Sequence, residues 1–212
     1  MIVTLTNQKG GCGKSTATLN LALGTAALGY DTALIDADEQ KSCIETLQDY
    51  DKSRLTVYES GKNVDTLATE VKDNFKFVFI DTPPHSHNIM FQAMAVSDII
   101  IIPLQASPLD IRSAKRTIEA CEQVQQKVKR NIPCYFLLNR VNPRTNLSKE
   151  IGAYINKLYT VPLLQSRLHN RVAYAQSLMH GKSVIEYNRS SDAALEVRKL
   201  LKEVHRIMQQ HQ

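Results

Sequence analysis

Residues 9 to 16 carry the densest chemistry in this chain. They read Lys9-Gly10-Gly11-Cys12-Gly13-Lys14-Ser15-Thr16 and follow the apolar run Met1-Ile2-Val3-Thr4-Leu5. A loop that cradles phosphate needs backbone N–H groups turned inward and glycines wherever a Cβ would strike the ligand. It also needs a helix N-terminus beneath to hold the negative charge. All three are present here. Lys14 would reach the β and γ phosphates of a nucleotide, and the Ser15 hydroxyl would ligate Mg²⁺. Thr16 would lead into a helix with Leu19, Leu23, Ala26 and Ala27 among its apolar positions.

Two further acidic boxes follow apolar strands. Thr32-Ala33-Leu34-Ile35 ends in Asp36-Ala37-Asp38-Glu39-Gln40, and Lys76-Phe77-Val78-Phe79-Ile80 ends in Asp81-Thr82-Pro83-Pro84. Carboxylates at the C-terminal ends of parallel strands project into the crevice where open α/β sheets bind ligands, which is where a metal and an attacking water would lie. Asp81 reads as the Walker B acid holding a Mg²⁺-bound water. Asn139, ending the apolar run from Cys134, carries an amide able to donate and accept together at a purine edge. His85 and His87 have no third ligand in view and read as a solvated loop. The four cysteines (Cys12, Cys43, Cys121, Cys134) lie far apart, with neither zinc-ligand nor disulfide-framework spacing, and read as reduced thiols.

The spacing departs from the general G-x-x-x-x-G-K-[ST] pattern. Gln8 stands where its first glycine belongs, and a second lysine, Lys9, precedes the glycines. In this the stretch resembles the deviant Walker A box, x-K-G-G-x-G-K-[ST], of the ParA/MinD superfamily of ATPases. The box at 36 to 40 is similar to that family's D-x-D-P-Q element, with Glu39 replacing the proline, and the D-T-P-P string at 81 to 84 strengthens the likeness. More diffusely, Arg171-Val172-Ala173 and Gly181-Lys182-Ser183-Val184 resemble strings in plasmid partition ATPases, most of all the short ParF-like proteins that lack an N-terminal helix-turn-helix. Gly181-Lys182-Ser183 follows no strand and is not a second phosphate loop.

The resemblance implies a set of roles. Gly10, Gly11, Cys12, Gly13, Lys14, Ser15 and Thr16 would bind ATP, with Asn139 on the adenine. Ser15, Asp36 and Asp81 would form the Mg²⁺ shell. Lys9, Lys14 and Asp38 would carry catalysis: Asp38 orients or deprotonates the hydrolytic water, and Lys9 crosses a dimer interface to the partner's nucleotide. A homodimer assembled on ATP would bind non-specific DNA, for which Arg140, Arg144, Arg167, Arg171, Lys182 and Arg189 are the candidate contacts. A ParB-like centromere-binding or cargo adaptor protein would stimulate hydrolysis. A MinD-like membrane-cycling ATPase and a biosynthetic ATP-dependent ligase are the alternatives. The first would need an apolar amphipathic tail that Met208 to Gln212 does not offer, and the second would not need Lys9.

These residues need a scaffold that brings several strand ends together. The apolar runs at 1–5, 32–35, 55–58, 76–80, 99–103, 134–140 and 161–164 read as strands. Ile99-Ile100-Ile101-Ile102 is apolar on both sides and must be a central parallel strand. Apolar spacings of three and four mark helices at 16–27, 64–75, 89–96, 107–128 and 147–158 and at the C-terminus. The expectation is an α/β P-loop NTPase fold, with a mostly parallel central sheet flanked by helices on both faces, as one domain over residues 1–212. Of 212 residues 43% are hydrophobic and 22% charged, which suits such a core, and the formal charge is +5. That excess of base permits binding to DNA or anionic lipid. With no secretory leader and no apolar run near ~20 residues, a cytoplasmic, nucleoid-associated location without membrane insertion is expected.

Overall fold

The computed structural model of the chain describes residues 1–48, 50, 54–142, 145 and 147–210. In chain order the elements are β1 (Ile2–Leu5), α1 (Lys14–Ala27), β2 (Thr32–Asp36), α2 (Ser42–Thr46), β3 (Leu55–Glu59), α3 (Val64–Val71), β4 (Phe77–Asp81) and α4 (His87–Val96). They continue with β5 (Ile99–Gln105), α5 (Pro108–Ser113), α6 (Lys115–Val128), β6 (Cys134–Val141), α7 (Leu147–Leu158), β7 (Leu163–His169), α8 (Val172–Met179), α9 (Val184–Tyr187) and α10 (Asp192–Gln210). The strands form one seven-stranded sheet ordered β3-β2-β4-β1-β5-β6-β7, and every neighbouring pair is parallel.

Alternation along the strands builds a core on each side of the sheet. Val3, Leu5, Leu34, Phe77, Phe79, Ile99, Ile101 and Leu137 face the cluster completed by α1, α9 and α10. Ile100, Ile102, Phe136 and Leu138 point the other way, against Ile118, Cys121 and Val124 of α6 and Ile151 and Ile155 of α7. Ile2, Ala33, Ile35, Val78 and Ile80 meet α3 and α4 on that same side. The four isoleucines of β5 are at most 1% exposed. Each contributes roughly 2–3 kcal/mol by burial, so this strand anchors the sheet from both faces.

Some boundaries differ from the sequence expectation. β5 continues through Pro103 to Gln105, because Pro103 faces the β1 edge beyond the last β1–β5 pair, Leu5 with Ile101, and its missing N–H breaks no ladder bond. β7 runs to His169 rather than ending at Leu164: Leu164 and Leu168 are buried, while Gln165, Ser166 and Arg167 between them are at least partly exposed, as the edge strand of the sheet allows. The helix expected over 107–128 is interrupted at Ala114, whose N–H is shared between the carbonyls of Asp110 and Ile111 at 3.2 Å each. The helix expected over 64–75 ends at Val71 and tightens into a 3₁₀ turn at Lys72–Asn74. Among the described residues, no helix is long and apolar enough to cross a membrane.

Candidate functional site

The C-terminal ends of β1, β2, β4, β5 and β6 converge beside the N-terminus of α1, and the loop from Thr6 to Gly13 runs through their midst. Its shape is held from behind. Gln105 Nε2 and Arg140 Nη1 donate to the Gly11 carbonyl at 2.9 and 3.2 Å, and Asn139 Nδ2 donates to those of Cys12 and Gly13 at 3.0 and 3.3 Å. Cys12 Sγ donates to the Lys9 carbonyl at 3.3 Å, and Asn7 ties the loop's start to the Pro103 carbonyl at 2.9 Å. The Gln8 and Lys9 amides are held by Thr117 Oγ1 at 3.2 Å and Asn7 Oδ1 at 3.0 Å, so with the loop's carbonyls drawn outward it is the amides from Gly10 to Gly13 that are kept for a ligand. Gly11 and Gly13 have φ of 74° and 86°, the left-handed region, which is what turns the amides of successive residues to one side. A Cβ at Gly13 would also collide with the Asn139 amide. No side chain caps the 14-residue helix α1, whose first turn is thereby left to hold an anion.

Lys14 lies in this cradle at 6% exposure. Beside it, Asp81 at the end of β4 is fully buried, and its carboxylate accepts from Thr18 Oγ1 at 3.1 Å and from the Ser15 hydroxyl. Burial pushes its carboxyl up to about 6, the Asp36 charge adds to the rise, and the two hydroxyls and Lys14 oppose it. Asp36 ends β2. Its Oδ2 accepts the N–H groups of Cys43 and Ile44 at 2.9 and 3.2 Å, so the first turn of α2 is pinned on it, and Oδ1 accepts from Asp38 N at 3.1 Å. Burial raises the Asp36 carboxyl above the usual range against those backbone bonds. Ligand atoms of Asp36, Cys43 and Asp81 all lie within 4.8 Å of one another. A fully buried acid with a raised pKa, next to a second acid and the Ser15 hydroxyl, is a donor set suited to a hard divalent cation.

This gives a pH-dependent expectation. An acid whose folded pKa lies above its unfolded value of 3.8 destabilises the fold at pH above both values. That cost fades as pH falls through about 6. Asp81→Asn should therefore stabilise the nucleotide-free protein at pH 8 by on the order of 2 to 3 kcal/mol, from roughly two pH units. In urea unfolding the gain should vanish near pH 4; an equal gain at both pH values would show that charge is not the cause.

Asp38 is half-buried at the mouth of the crevice. Its Oδ1 accepts from Gln40 N at 3.0 Å, an Asx turn that forms with Glu39 in the middle and needs no proline there. Lys9 stands apart from the cradle, its Nζ 2.7 Å from Asp110 Oδ2 in α5. The Asp110 side chain is 7% exposed against 37% for Lys9, and its Oδ1 has no partner. A cavity of about 710 Å³ opens beside this pair, lined by Lys9, His85, His87, Arg112, Lys115 and Arg116. A second, of about 390 Å³, opens on the other side of the loop, lined by Asn139, Arg140, His169, Arg171 and Tyr174, with Thr16 and Gln105 next to the loop.

The residues expected to touch DNA lie on several elements. Arg140 and Arg171 flank the second cavity. Arg171 donates from Nε to Glu196 Oε1 at 2.7 Å, and its Nη1 is 2.9 Å from Asp192 Oδ2, so its guanidinium is engaged within the chain. Arg167 lies in β7 with its Nη2 near Gly152 of α7. Lys182 and Arg189 are exposed on either side of α9. Arg144 is outside the described residues. Sequence reading missed Gln105, Thr18, Cys43, Asp110 and Glu196. Only Gln105 had a signal, as a polar residue just past an apolar strand.

Comparison with known proteins points to one family. The model for "CobQ/CobB/MinD/ParA nucleotide binding domain" matches residues 3–184. The maintenance of carboxysome distribution protein A of Halothiobacillus neapolitanus is 29% identical over 208 residues, covering 95% of both chains. The sporulation initiation inhibitor protein Soj of Bacillus subtilis is 24% identical, covering 96% of this chain and 97% of its own. Among solved structures, apo McdA from Cyanothece superposes with a TM-score of 0.80 at 16% identity, over 96% of this chain and 98% of that one. The septum site-determining protein MinD of Pyrococcus horikoshii OT3, complexed with Mg-ADP, gives 0.76 at 19%, over 100% and 98%.

Proposed function

This chain belongs to the CobQ/CobB/MinD/ParA nucleotide-binding family, and on that premise we propose that it is an ATPase of the ParA positioning type. In this reading it pairs with a second copy on ATP, binds DNA without sequence preference and is released by hydrolysis. The observation that carries it is the cradle itself: an uncapped helix N-terminus, a buried Lys14, and Ser15 hydrogen-bonded to a fully buried Asp81. Relatives named for carboxysome distribution and chromosome partitioning support the positioning role.

The residues divide the work by place. Loop amides and Lys14 would bind the β and γ phosphates. Ser15 and Asp81, with Asp36 close by, would hold Mg²⁺, which when bound offsets phosphate charge during transfer. Asp38, at the open end of the crevice, would hold and deprotonate the attacking water. Lys9 faces away from its own cradle, so Lys9 of the partner subunit would complete the site across the interface. A contact to the γ-phosphate is one ADP lacks, and that difference is what lets ATP drive pairing. Pairing doubles the phosphate contacts open to DNA, for which Arg140, Lys182 and Arg189 are exposed candidates and Arg167 a half-buried one, and an adaptor protein would stimulate turnover.

Lys9→Ala should bind ATP yet remain monomeric in sedimentation, while the wild type dimerises with ATP and not with ADP. Binding to arbitrary duplex DNA should follow the same pattern and fall steeply with salt, by ~0.9 log units per phosphate contact per log unit of salt. A Lys9→Ala chain that dimerises as readily as wild type would overturn the shared-site reading.

A further inference from the structure

Resting on the nucleotide reading above, we propose that Glu196 is a positioning residue for base selection, fixing His169 on the wall of the 390 Å³ cavity as a hydrogen-bond acceptor that favours adenine over guanine. Four donors converge on this one side chain of α10. His169 Nδ1 and Arg171 Nε meet Oε1 at 2.8 and 2.7 Å, and the His169 backbone N–H and the Tyr174 hydroxyl donate to Oε2 at 3.0 Å each. The three partners lie 22 to 27 positions earlier in the chain, at the end of β7 and the start of α8, and all three line the cavity. Burial alone would raise the Glu196 carboxyl, yet the bonds from His169, Arg171 and Tyr174 prevail and hold it below its usual range, as an anion. Burial and the same carboxylate push the Tyr174 hydroxyl up, so it stays a donor toward Glu196.

The cavity is placed for a nucleoside. Thr16 and Gln105 border it, and Asn139, which bonds two carbonyls of the phosphate loop, stands in its wall, while Asp36 and Asp81 lie on the loop's other side. A carboxylate accepting from Nδ1–H fixes the tautomer of a neutral imidazole, which leaves Nε2 as a lone pair. Adenine offers an exocyclic amino donor at the position where guanine offers a carbonyl acceptor. A wall that accepts discriminates between them, because the wrong base sets lone pair against lone pair in a partly desolvated site.

Glu196→Gln tests this. A carboxamide has one oxygen and one NH₂ where four donors converge, so one edge sets N–H against N–H and the ring loses its fixed tautomer. Wild type should bind ATP at least tenfold more tightly than GTP, with the ¹⁵N spectrum of His169 showing Nδ1 protonated and Nε2 not. In Glu196→Gln the preference should fall to threefold or less. Affinity for inorganic tripolyphosphate, which probes the phosphate cradle alone, should stay within twofold. If Glu196→Gln does not fold by circular dichroism, His169→Phe decides instead, since it keeps the aromatic plane and removes the acceptor; the same loss of preference is expected. An unchanged ATP to GTP ratio, an equal loss of tripolyphosphate affinity, or His169 protonated at Nε2 in the wild type would each overturn the proposal while leaving the nucleotide reading intact. A wild-type chain that binds neither nucleotide nor tripolyphosphate would instead overturn that reading.

Discussion

Lys14→Ala is expected to weaken ATP binding by a hundredfold or more, with little change in the stability of the nucleotide-free chain. Lys14 is a cation at 6% exposure inside a loop whose carbonyls are tied outward, so an entering phosphate meets an ammonium already removed from bulk water. Charge-assisted bonds in such a setting contribute roughly 1.5–3 kcal/mol net, and the loss grows when the phosphate is left desolvated without its partner. Without ligand the same lysine is a buried charge whose desolvation opposes its attraction to Asp81, and Asp81, already pushed up to about 6, can take a proton rather than stay stranded, so near that pH its removal costs the fold little. Calorimetric titration with ATP checks the first half and urea unfolding the second. An affinity within threefold of wild type would remove Lys14 from the phosphate site.

Asp38→Ala should separate binding from turnover. Loss of a positioned general base typically slows a reaction ~10²- to 10⁴-fold. Its Oδ1 accepts the Gln40 amide rather than a group of the phosphate loop, and its backbone is held independently by Asp36 and by the Lys41 N–H at 2.9 Å. ATP affinity should therefore stay within about threefold, and ATP-dependent dimers should accumulate for want of hydrolysis. Phosphate release under single-turnover conditions is the measurement. Normal turnover would assign the water to another group, and a parallel loss of ATP affinity would show that Asp38 shapes the site rather than acting in it.

The parts legible in the sequence were those fixed by local physics. The phosphate loop could be read because glycines, lysine, serine and a following helix must sit within a few residues of one another. The sheet could be read because Ile99–Ile102 admits no exposed face. Asp36 and Asp81 were legible as strand-end acids. What stayed hidden depends on contacts between distant segments. Cys43 lies in a five-residue helix too short for periodicity, whose role is to point two amides at Asp36. Glu196 reads as an ordinary solvent-side acid of an amphipathic helix, and only the fold brings His169, Arg171 and Tyr174 to it. Arg171 shows the converse limit: its pairing with Glu196 and Asp192 could not be read from a sequence that offered it as a candidate DNA contact.

The ion pair between Lys9 and Asp110 sets a threshold. Departure of the ammonium would strand a carboxylate that solvent scarcely reaches and that already has one oxygen without a donor. That cost holds the lysine in place, and on the shared-site reading a chain meeting its twin without nucleotide would find the bridging arm folded home. Only a ligand offering denser negative charge than one acid can outbid that resting place. On the shared-site reading proposed above, such a latch would guard against idle pairing, because Asp110 is buried and Lys9 is more open.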